Sequence, residues 1–132
     1  TEVVQTLTDR FQRQTQIGVR LHWHGNGPQL NSEQQLQVVF ILQESLSNIR
    51  KHSQATKVDI RFDNRQDFVM EIEDNGRGFD IEGLKERHSG NHVGLNIMHE
   101  RAQRIRARLS LHSKPGSTRV TLNLPYEERR QV

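Results

Sequence analysis

Apolar and polar residues alternate in five short stretches of the chain, and this two-residue period is typical of half-buried strands. The alternating sets run through residues 17–23, 58–62, 68–72, 109–111 and 120–124. Turn-forming residues separate the second set from the third, at 63–65, and the fourth from the fifth, at 114–116. Strands joined by such tight turns pair as antiparallel hairpins. The pattern therefore predicts one strand followed later by two hairpins.

Two other segments place apolar residues three or four positions apart, which is the period of an amphipathic helix. Their apolar stripes are Leu36, Val39, Leu42, Leu46 and Ile49 in the first segment, and Leu95, Met98, Ala102 and Ile105 in the second. Asn31 or Ser32 can cap the first helix, with Gln35 as the capping-box partner of Ser32. We expect this helix to continue to about His52.

The predicted order is strand, helix, hairpin, loop, helix, hairpin. This order favours an α/β two-layer sandwich, in which helices cover one face of a mixed, mostly antiparallel sheet. A chain of 132 residues has room for one hydrophobic core, so residues 1–132 are predicted to form a single domain. Within it, residues 1–14 are expected to end a preceding helical segment and residues 125–132 to form a flexible tail.

Composition narrows the chemistry. Hydrophobic residues make up 32% of the chain and aromatic residues 5%, so the predicted core is mostly Leu, Ile and Val, with Trp23 as its largest member. The absence of cysteine excludes disulfides and thiolate catalysis, and it fits a reducing compartment. The net charge of +3 suits an anionic ligand or partner. No stretch is apolar for long enough to span a bilayer.

The first predicted helix carries a polar side opposite its apolar stripe. Its members are Glu44, Asn48, Lys51 and His52. A solvated helix face would explain such a set. A functional explanation is also open, because an amide oxygen is a hard Mg²⁺ ligand, a carboxylate can order the metal's water molecules, and basic side chains can meet phosphate oxygens.

Asp74 continues the core-facing parity of the third strand, so its carboxylate is predicted to point inward at the strand's end. A lone buried carboxylate is costly. Gly76 and Gly78 follow, and glycines let a backbone turn sharply and approach a ligand closely. An ordinary loop of turn residues would give the same short pattern. Thr118 shares the parity of the last strand's core residues, although a simple strand residue would explain it too.

Gly90 and Gly94 lie in a segment that leads through Leu95 into the second predicted helix. The free N–H groups of a helix start can bind phosphate. A flexible loop before a helix is the other explanation of this segment.

In this order, residues 44–52, 74–78 and 90–95 resemble the N, G1 and G2 boxes of the histidine kinase ATPase family, which also includes gyrase, the Hsp90 chaperones and MutL. The resemblance covers residues 17–124 and implies a Bergerat-type fold that binds ATP with Mg²⁺. The family pattern implies that Asn48 coordinates Mg²⁺ and that Asp74 accepts a hydrogen bond from the adenine amino group. It places Thr118 near the adenine, and Lys51 and His52 near the phosphates. The family pattern also implies that the nucleotide site is shaped by Gly76, Gly78, Gly90, Gly94 and Leu95.

Within the family, residues 42–53 and 94–101 look like the NarX/NarQ-type nitrate/nitrite sensor kinases. Two departures stand out. The usual Gly-x-Gly-Thr turn before the last strand is shortened to Gly116, Ser117 and Thr118. In addition, no separate phenylalanine box lies between the first and second glycine boxes, although Phe79 follows the first directly.

The resemblance implies that the chain is the catalytic part of a sensor histidine kinase. It would donate the γ-phosphate of ATP to a histidine on the dimerisation domain of the same homodimeric protein, which then serves a response regulator. The expected location is the cytoplasmic side of a bacterial inner-membrane sensor. Two alternatives stay open: a gyrase- or MutL-like clamp in which Glu44 activates a hydrolytic water, and a nucleotide-binding module without enzymatic activity.

Two further clusters are predicted to be surface features. His22 and His24 lie on the outer side of a strand and have no evident third metal ligand. The arginines between 101 and 108 lack the interleaved aromatic residues typical of single-stranded nucleic-acid binding, so no nucleic-acid partner is expected. A solvated helix face and a partner-docking surface both stay open as explanations of these arginines.

Overall fold

The computed structural model describes residues 2–27, 29–77 and 91–129, and for residues 53 and 91–94 it describes the backbone alone. The helices are α1 (Glu2–Thr15), α2 (Ser32–Asn48), α3 (Asn91–Arg104) and α4 (Tyr126–Arg129), and a π-helical turn (Ile49–Ser53) follows α2. The strands are β1 (Gly18–His24), β2 (Lys57–Asp63), β3 (Phe68–Asp74), β4 (Arg108–Lys114) and β5 (Ser117–Leu124). No described helix combines the length and apolar character needed to cross a membrane.

The described strands form one five-stranded sheet in the order β1-β2-β3-β5-β4. β1 runs parallel to β2, and every other neighbouring pair is antiparallel. The predicted mixed, mostly antiparallel sheet is therefore confirmed. β3 lies at its centre, and its last residue, Asp74, stands opposite Val58 of β2 and Thr118 of β5. Residues facing each other in this way share one face of a sheet.

One face of the sheet is buried beneath the helices, as the alternating pattern predicts. Its buried apolar side chains in the three central strands are Val58, Ile60, Phe62, Phe68, Met70, Ile72, Val120, Leu122 and Leu124. Met98 and Ala102 of α3 join them from the helical layer. We call this the inner face, and the opposite side of the sheet, which carries charged side chains, the open face.

The start of α2 differs in detail from the prediction. Asn31 is the cap, and its capping-box partner is Gln34 rather than Gln35. Leu36, expected in the core stripe, is 56% exposed, whereas Gln34 and Gln37 are buried. The reason is a distant contact, because the Gln34 amide donates to the carbonyl of Glu128 at 2.8 Å. The C-terminal segment therefore covers a side of α2 that carries polar residues, so the apolar pattern of α2 does not predict its burial.

The predicted flexible tail is wrong for residues 125–129. Tyr126–Arg129 forms α4, and the Arg129 side chain is fully buried. Its guanidinium donates to the side chain of Asn64 and to the carbonyl of Gln66 in the β2–β3 turn. Burial lowers the pKa of Arg129, and these acceptors offset part of the cost of burying a cation.

Trp23 is not the centre of the core. Its side chain is 46% exposed, with its ring stacked on Phe62 at a centroid distance of 4.2 Å. β1 is an edge strand with β2 as its neighbour, so one side of the indole lacks a covering strand. The core is accordingly built around the aliphatic side chains of the central strands.

Candidate functional site

A small cavity lies between the helical layer and the inner face of the sheet. Its walls are Ser45, Asn48, Ile49, Ile72, Asp74, Leu95, Met98, Leu111, Thr118 and Val120. Four of these residues, Asn48, Asp74, Leu95 and Thr118, come from separate elements and are all predicted site residues. The fold thus brings part of each predicted box to one place.

Asp74 is the last residue of β3, lies on the inner face of the sheet and is only 3% exposed. One carboxylate oxygen accepts a hydrogen bond from the Gly76 amide at 2.8 Å. Burial raises the pKa of Asp74 above its ordinary value, the nearby charge of Glu73 raises it further, and the Gly76 hydrogen bond acts in the opposite direction. A buried carboxylate in the wall of a cavity is an acceptor that a polar ligand can reach.

Thr118 lies beside this carboxylate, as the strand parity predicts. It is the register partner of Asp74 in β5 and is 3% exposed. Its hydroxyl is 2.9 Å from the hydroxyl of Ser113 across the β4–β5 hairpin. The shortened turn at Gly116 therefore does not displace Thr118 from the cavity.

Asn48 is the last residue of α2, and it is half-buried at the opposite wall. Its side chain makes no capping hydrogen bond to the turn that follows. The sequence predicts an α-helix continuing to His52, but the chain changes to a π-helical turn at Ile49. Isolated π-helical turns are frequent at functional sites.

The remaining residues of the first box lie outside the cavity walls. Glu44 is half-buried one turn before Asn48, Lys51 is exposed, and His52 is partly exposed. The α-helical spacing assumed for Lys51 and His52 does not hold, because the i→i+5 pattern of the π-helical turn rotates them relative to Asn48. Their predicted contact with phosphates stays a prediction.

The glycine boxes are described in part. Gly76 is buried, and its carbonyl accepts from the Gly116 amide at 3.0 Å, which ties the end of β3 to the β4–β5 turn. Gly94 lies in the first turn of α3, and Leu95 lines the cavity. Gly78 and Gly90 lie outside the described residues.

Sequence reasoning missed how the loop after β3 is held. The Asn75 side chain accepts from the backbone amides of Thr56 and Lys57 at 2.9 and 3.0 Å and donates to the Thr56 hydroxyl at 2.9 Å. Arg77 donates from Nε to the carbonyl of His52 at 3.2 Å. An asparagine beside glycine indicates only a turn. Its partners are 18 and 19 residues away in the chain, so no local pattern reveals them.

Ser45 is a further wall residue that the sequence analysis did not identify. Its hydroxyl lies 3.6 Å from the sulfur of Met98. The signal available was its position three residues before Asn48, on the same side of α2. Ile72, Met98, Leu111 and Val120 also line the cavity, and they look like ordinary core residues in the sequence.

The structure shows contacts for one member of each of the two clusters predicted to be surface features. His22 lies 3.4 Å from the carboxylate of Asp59 on the open face. Across residues 2–27, 29–77 and 91–129, no group of three or more His, Asp or Glu side chains could hold a metal ion. Arg101 stacks its guanidinium over the ring of Phe40 at 4.2 Å, joining α3 to α2.

Comparison with known protein families decides what this architecture is. The profile described as histidine kinase-, DNA gyrase B- and HSP90-like ATPase matches residues 33–128. The chain belongs to this ATPase family. The matched range contains α2 from Glu33 onward, both hairpins and all the predicted site residues, so the resemblance inferred from the three boxes is confirmed at the level of the family.

Relatives of this ATPase domain include several sensor kinases. The sensor protein NarQ homolog of Haemophilus influenzae is 32% identical over 126 residues, covering 93% of this chain and 22% of that protein. The histidine-protein kinase/phosphatase DegS of Brevibacillus brevis is 30% identical over 117 residues, covering 87% of this chain and 29% of that protein. The sensor protein VraS of Staphylococcus haemolyticus is 39% identical over 87 residues, covering 64% and 24%. The chain thus spans about a quarter of the length of these relatives.

Solved structures share the fold of the ATPase domain. The histidine kinase AdeS of Acinetobacter baumannii superposes with a TM-score of 0.76 at 18% identity, covering 95% of this chain and 64% of that one. The histidine kinase domain of the blue-light-activated kinase from Erythrobacter litoralis EL346 gives a TM-score of 0.71 at 14% identity, covering 96% and 64%. Together with the five-stranded sheet, these likenesses confirm the predicted fold class.

Proposed function

We propose that this ATPase domain binds Mg-ATP in the cavity between α2, α3 and the inner face, and that within a longer sensor kinase it presents the γ-phosphate to a histidine on the dimerisation domain. The observation that carries the proposal is the pairing of Asp74 with Thr118 in the cavity wall, opposite Asn48. ATP binding is the property named for the family. The phosphate acceptor and the response regulator are parts of the proposal.

The adenine end of the nucleotide would lie against Asp74. A base with an exocyclic amino group offers a donor to the buried carboxylate, and the hydroxyl of Thr118 lies beside it. The apolar walls formed by Ile72, Met98 and Val120 suit the flat faces of a base. Guanine has a carbonyl where adenine has that amino group, so we expect this wall to prefer adenine.

The phosphate end would lie toward Asn48 and the start of α3. The amide oxygen of Asn48 is a ligand type that Mg²⁺ accepts, and the metal binds through few protein groups and several waters and phosphate oxygens. The absence of a three-residue acidic cluster among the described residues therefore does not conflict with an Asn48 site. Bound Mg²⁺ would neutralise charge on the phosphates. The chain itself would position them, with the side chains of Lys51 and His52 as further phosphate contacts and the glycines of both boxes as backbone donors.

Glu44 has a secondary place in the proposal. It lies one turn before Asn48 and is half-buried, so it can hold water near the metal or, in a clamp-type ATPase, orient a hydrolytic water. The two roles differ in outcome. Transfer to a histidine needs a partner domain, whereas hydrolysis needs only this chain and water.

The proposal is tested by titrating the purified chain with a fluorescent ATP analogue, with and without Mg²⁺, and by competition with GTP. We expect saturable binding that Mg²⁺ strengthens and that ATP displaces better than GTP. Absence of saturable binding would leave a domain with a degenerate pocket and would contradict the proposal.

Phosphoryl transfer is tested with ATP labelled on the γ-phosphate. Alone, the chain should acquire no acid-labile label. A dimeric helical fragment from upstream in the parent protein should become labelled when mixed with it, slowly, because the tether's effective concentration is lost. Asn48→Ala should stop the transfer. Rapid labelling of the chain's own histidines, at about one per second or faster, would contradict the separation of catalyst and acceptor. Steady release of phosphate without any acceptor would favour the clamp-type alternative.

The parent sensor is proposed to respond to a signal of the nitrate/nitrite type, and this domain is proposed to lie on the cytoplasmic side of the inner membrane. The similarity to the NarQ homolog, which extends over 93% of this chain, supports this choice. The test is autophosphorylation of the full-length parent protein in membrane vesicles with nitrate, nitrite or chloride. Equal rates in all three salts would refute the nitrate/nitrite assignment and leave the kinase proposal intact.

A further inference from the structure

The loop that follows β3 is fastened to the rest of the fold at two points. The first is Asn75, whose side chain and backbone together make four hydrogen bonds to Thr56 and Lys57 at the start of β2, from 2.9 to 3.2 Å long. This anchor fixes the exit of the chain from β3, directly beside Asp74. Because the backbone is held here, a further contact made by this loop can affect the position of the Asp74 carboxylate.

The second point is Arg77, whose Nε donates to the carbonyl of His52 at 3.2 Å. His52 lies in the π-helical turn that begins immediately after Asn48. Carbonyl groups near the end of a helix carry partial negative charge, so a cationic donor is favoured there. Arg77 lies three residues after Asp74, and His52 lies four residues after Asn48. This hydrogen bond thus links the two opposite walls of the cavity.

We propose that Arg77 is a positioning residue for the nucleotide: by holding the His52 carbonyl it sets the placement of Asn48 relative to Asp74. The inference rests on the proposed ATP site and deepens it. A ligand that spans both walls needs their spacing to be correct, whereas a ligand that contacts only the Asp74 wall does not. ATP is of the first kind, and adenosine, which has no phosphates, is of the second.

Two substitutions separate the hydrogen bond from the charge. In Arg77→Gln the side-chain nitrogen Nε2 occupies the position along the side chain that Nε has in arginine, so the donor to His52 is kept while the charge is lost. In Arg77→Met the length is similar and no donor remains. Arg65→Met is the matched control, because Arg65 is an exposed arginine in the β2–β3 turn bound to Asp63.

We expect Arg77→Met to weaken ATP by about threefold to tenfold, the effect of one lost hydrogen bond, while adenosine affinity stays within about twofold of the wild type. Arg77→Gln should bind ATP about as tightly as the wild type, and Arg65→Met should change the affinity for neither ligand. The measurements are isothermal titration of Mg-ATP and an NMR titration of adenosine. Amide spectra recorded in parallel report whether each variant is folded.

Three results would overturn the inference. Unchanged ATP affinity in Arg77→Met would show that the link to His52 does not matter for the ligand. An equal loss for ATP and adenosine would indicate a general structural role. Failure of Arg77→Gln to restore binding would indicate that the guanidinium charge acts on the phosphates directly. A wild-type chain that binds neither ligand would refute the proposed function itself, and that outcome is distinct from the other three.

Discussion

Glu73 and Asp74 are neighbours in β3, yet they face opposite sides of the sheet and meet opposite surroundings. On the open face, Glu73 accepts hydrogen bonds from Arg119 at 3.0 Å and Ser117 at 3.1 Å, and the first of these is the main cause of its lowered pKa. On the inner face, Asp74 accepts from a backbone amide, and burial raises its pKa. The pKa values of these two neighbouring carboxylates are therefore shifted in opposite directions.

The contrast extends along both faces. On the open face, acidic and basic side chains pair across strands: Arg20 meets Asp59 at 3.1 Å, and Arg61 meets Glu71 at 2.9 Å. Exposed pairs of this kind contribute little to stability, about 0 to 1 kcal/mol each. The inner face is apolar except at the cavity, where Asp74 and Thr118 stand together. A costly buried carboxylate at a cavity wall is typical of a functional site, whereas paired surface charges are typical of a solvated sheet.

Stability should depend on the inner face far more than on the open one. Ile60 is fully buried in β2, and the next residue, Arg61, faces solvent. Ile60→Ala should lower the free energy of unfolding by about 2–5 kcal/mol because it leaves a cavity in the core. Arg61→Ala should lower it by less than about 1 kcal/mol. Urea unfolding of both variants measures the difference, and equal losses would remove the distinction between the faces.

The same contrast applies to the two asparagines at Asn48 and Asn123. Asn48→Ala should abolish the magnesium-dependent part of ATP binding, a loss of about 100-fold or more, without unfolding the domain. Asn123→Ala, on the open face of β5, should leave binding unchanged. Titration with a fluorescent ATP analogue, together with circular dichroism, measures both effects. An Asn48 variant with normal Mg-ATP affinity would exclude Asn48 from the site.

Substitutions of the neighbouring carboxylates Asp74 and Glu73 should differ in their effect on nucleotide affinity. Asp74→Asn should weaken ATP by about tenfold to 100-fold, since an acceptor for a ligand donor is lost, and should weaken GTP less. Glu73→Gln should change ATP affinity by less than about twofold, because its partners lie on the other face. Competition titrations with both nucleotides test this. Equal losses of ATP and GTP in Asp74→Asn would make Asp74 a structural residue and the adenine assignment wrong.

Much of this arrangement is predictable because it depends on local periods. Alternation places Asp74 and Thr118 on the core side of their strands, and the structure pairs them in register. Turn residues correctly predict both hairpins. The α-helical period also gives the apolar stripe of α3, in which Met98 and Ala102 are buried, and Ile105, directly after the helix, is buried as well.

The rest depends on contacts that are distant in the chain. Gln34 is buried because Glu128, 94 residues away, packs over it. Arg129 is buried because acceptors 63 and 65 residues earlier receive its guanidinium. The π-helical turn after Asn48 leaves no periodic signal in so short a segment, so the sequence extends α2 too far. Local patterns predict which face a residue occupies, but they do not predict which remote segment covers that face.

The opposite pKa directions predict opposite pH dependences, and these are the smallest effects. The pKa of Glu73 is lowered in the folded state, so its stabilisation is present above the ordinary carboxyl pKa of about 4 and is lost as pH falls through the lowered value. Asp74 has a raised pKa, so its charge destabilises the folded state above that raised value. This cost disappears as pH falls toward the ordinary carboxyl range.

In Glu73→Gln, the free energy of unfolding should therefore fall less between neutral and acidic pH than it does in the wild type. The difference should be less than about 0.5 kcal/mol, because the ion pair of Glu73 with Arg119 is screened by solvent. Asp74→Asn should be at least as stable as the wild type near neutral pH, and its loss in acid should be steeper, since the compensating protonation of Asp74 is gone. Urea unfolding at about pH 7, 5 and 3.5 measures all three proteins. Slopes that change in the same direction for both variants would mean that the two carboxylates share one electrostatic environment, and the distinction between the inner and open faces would then rest on packing alone.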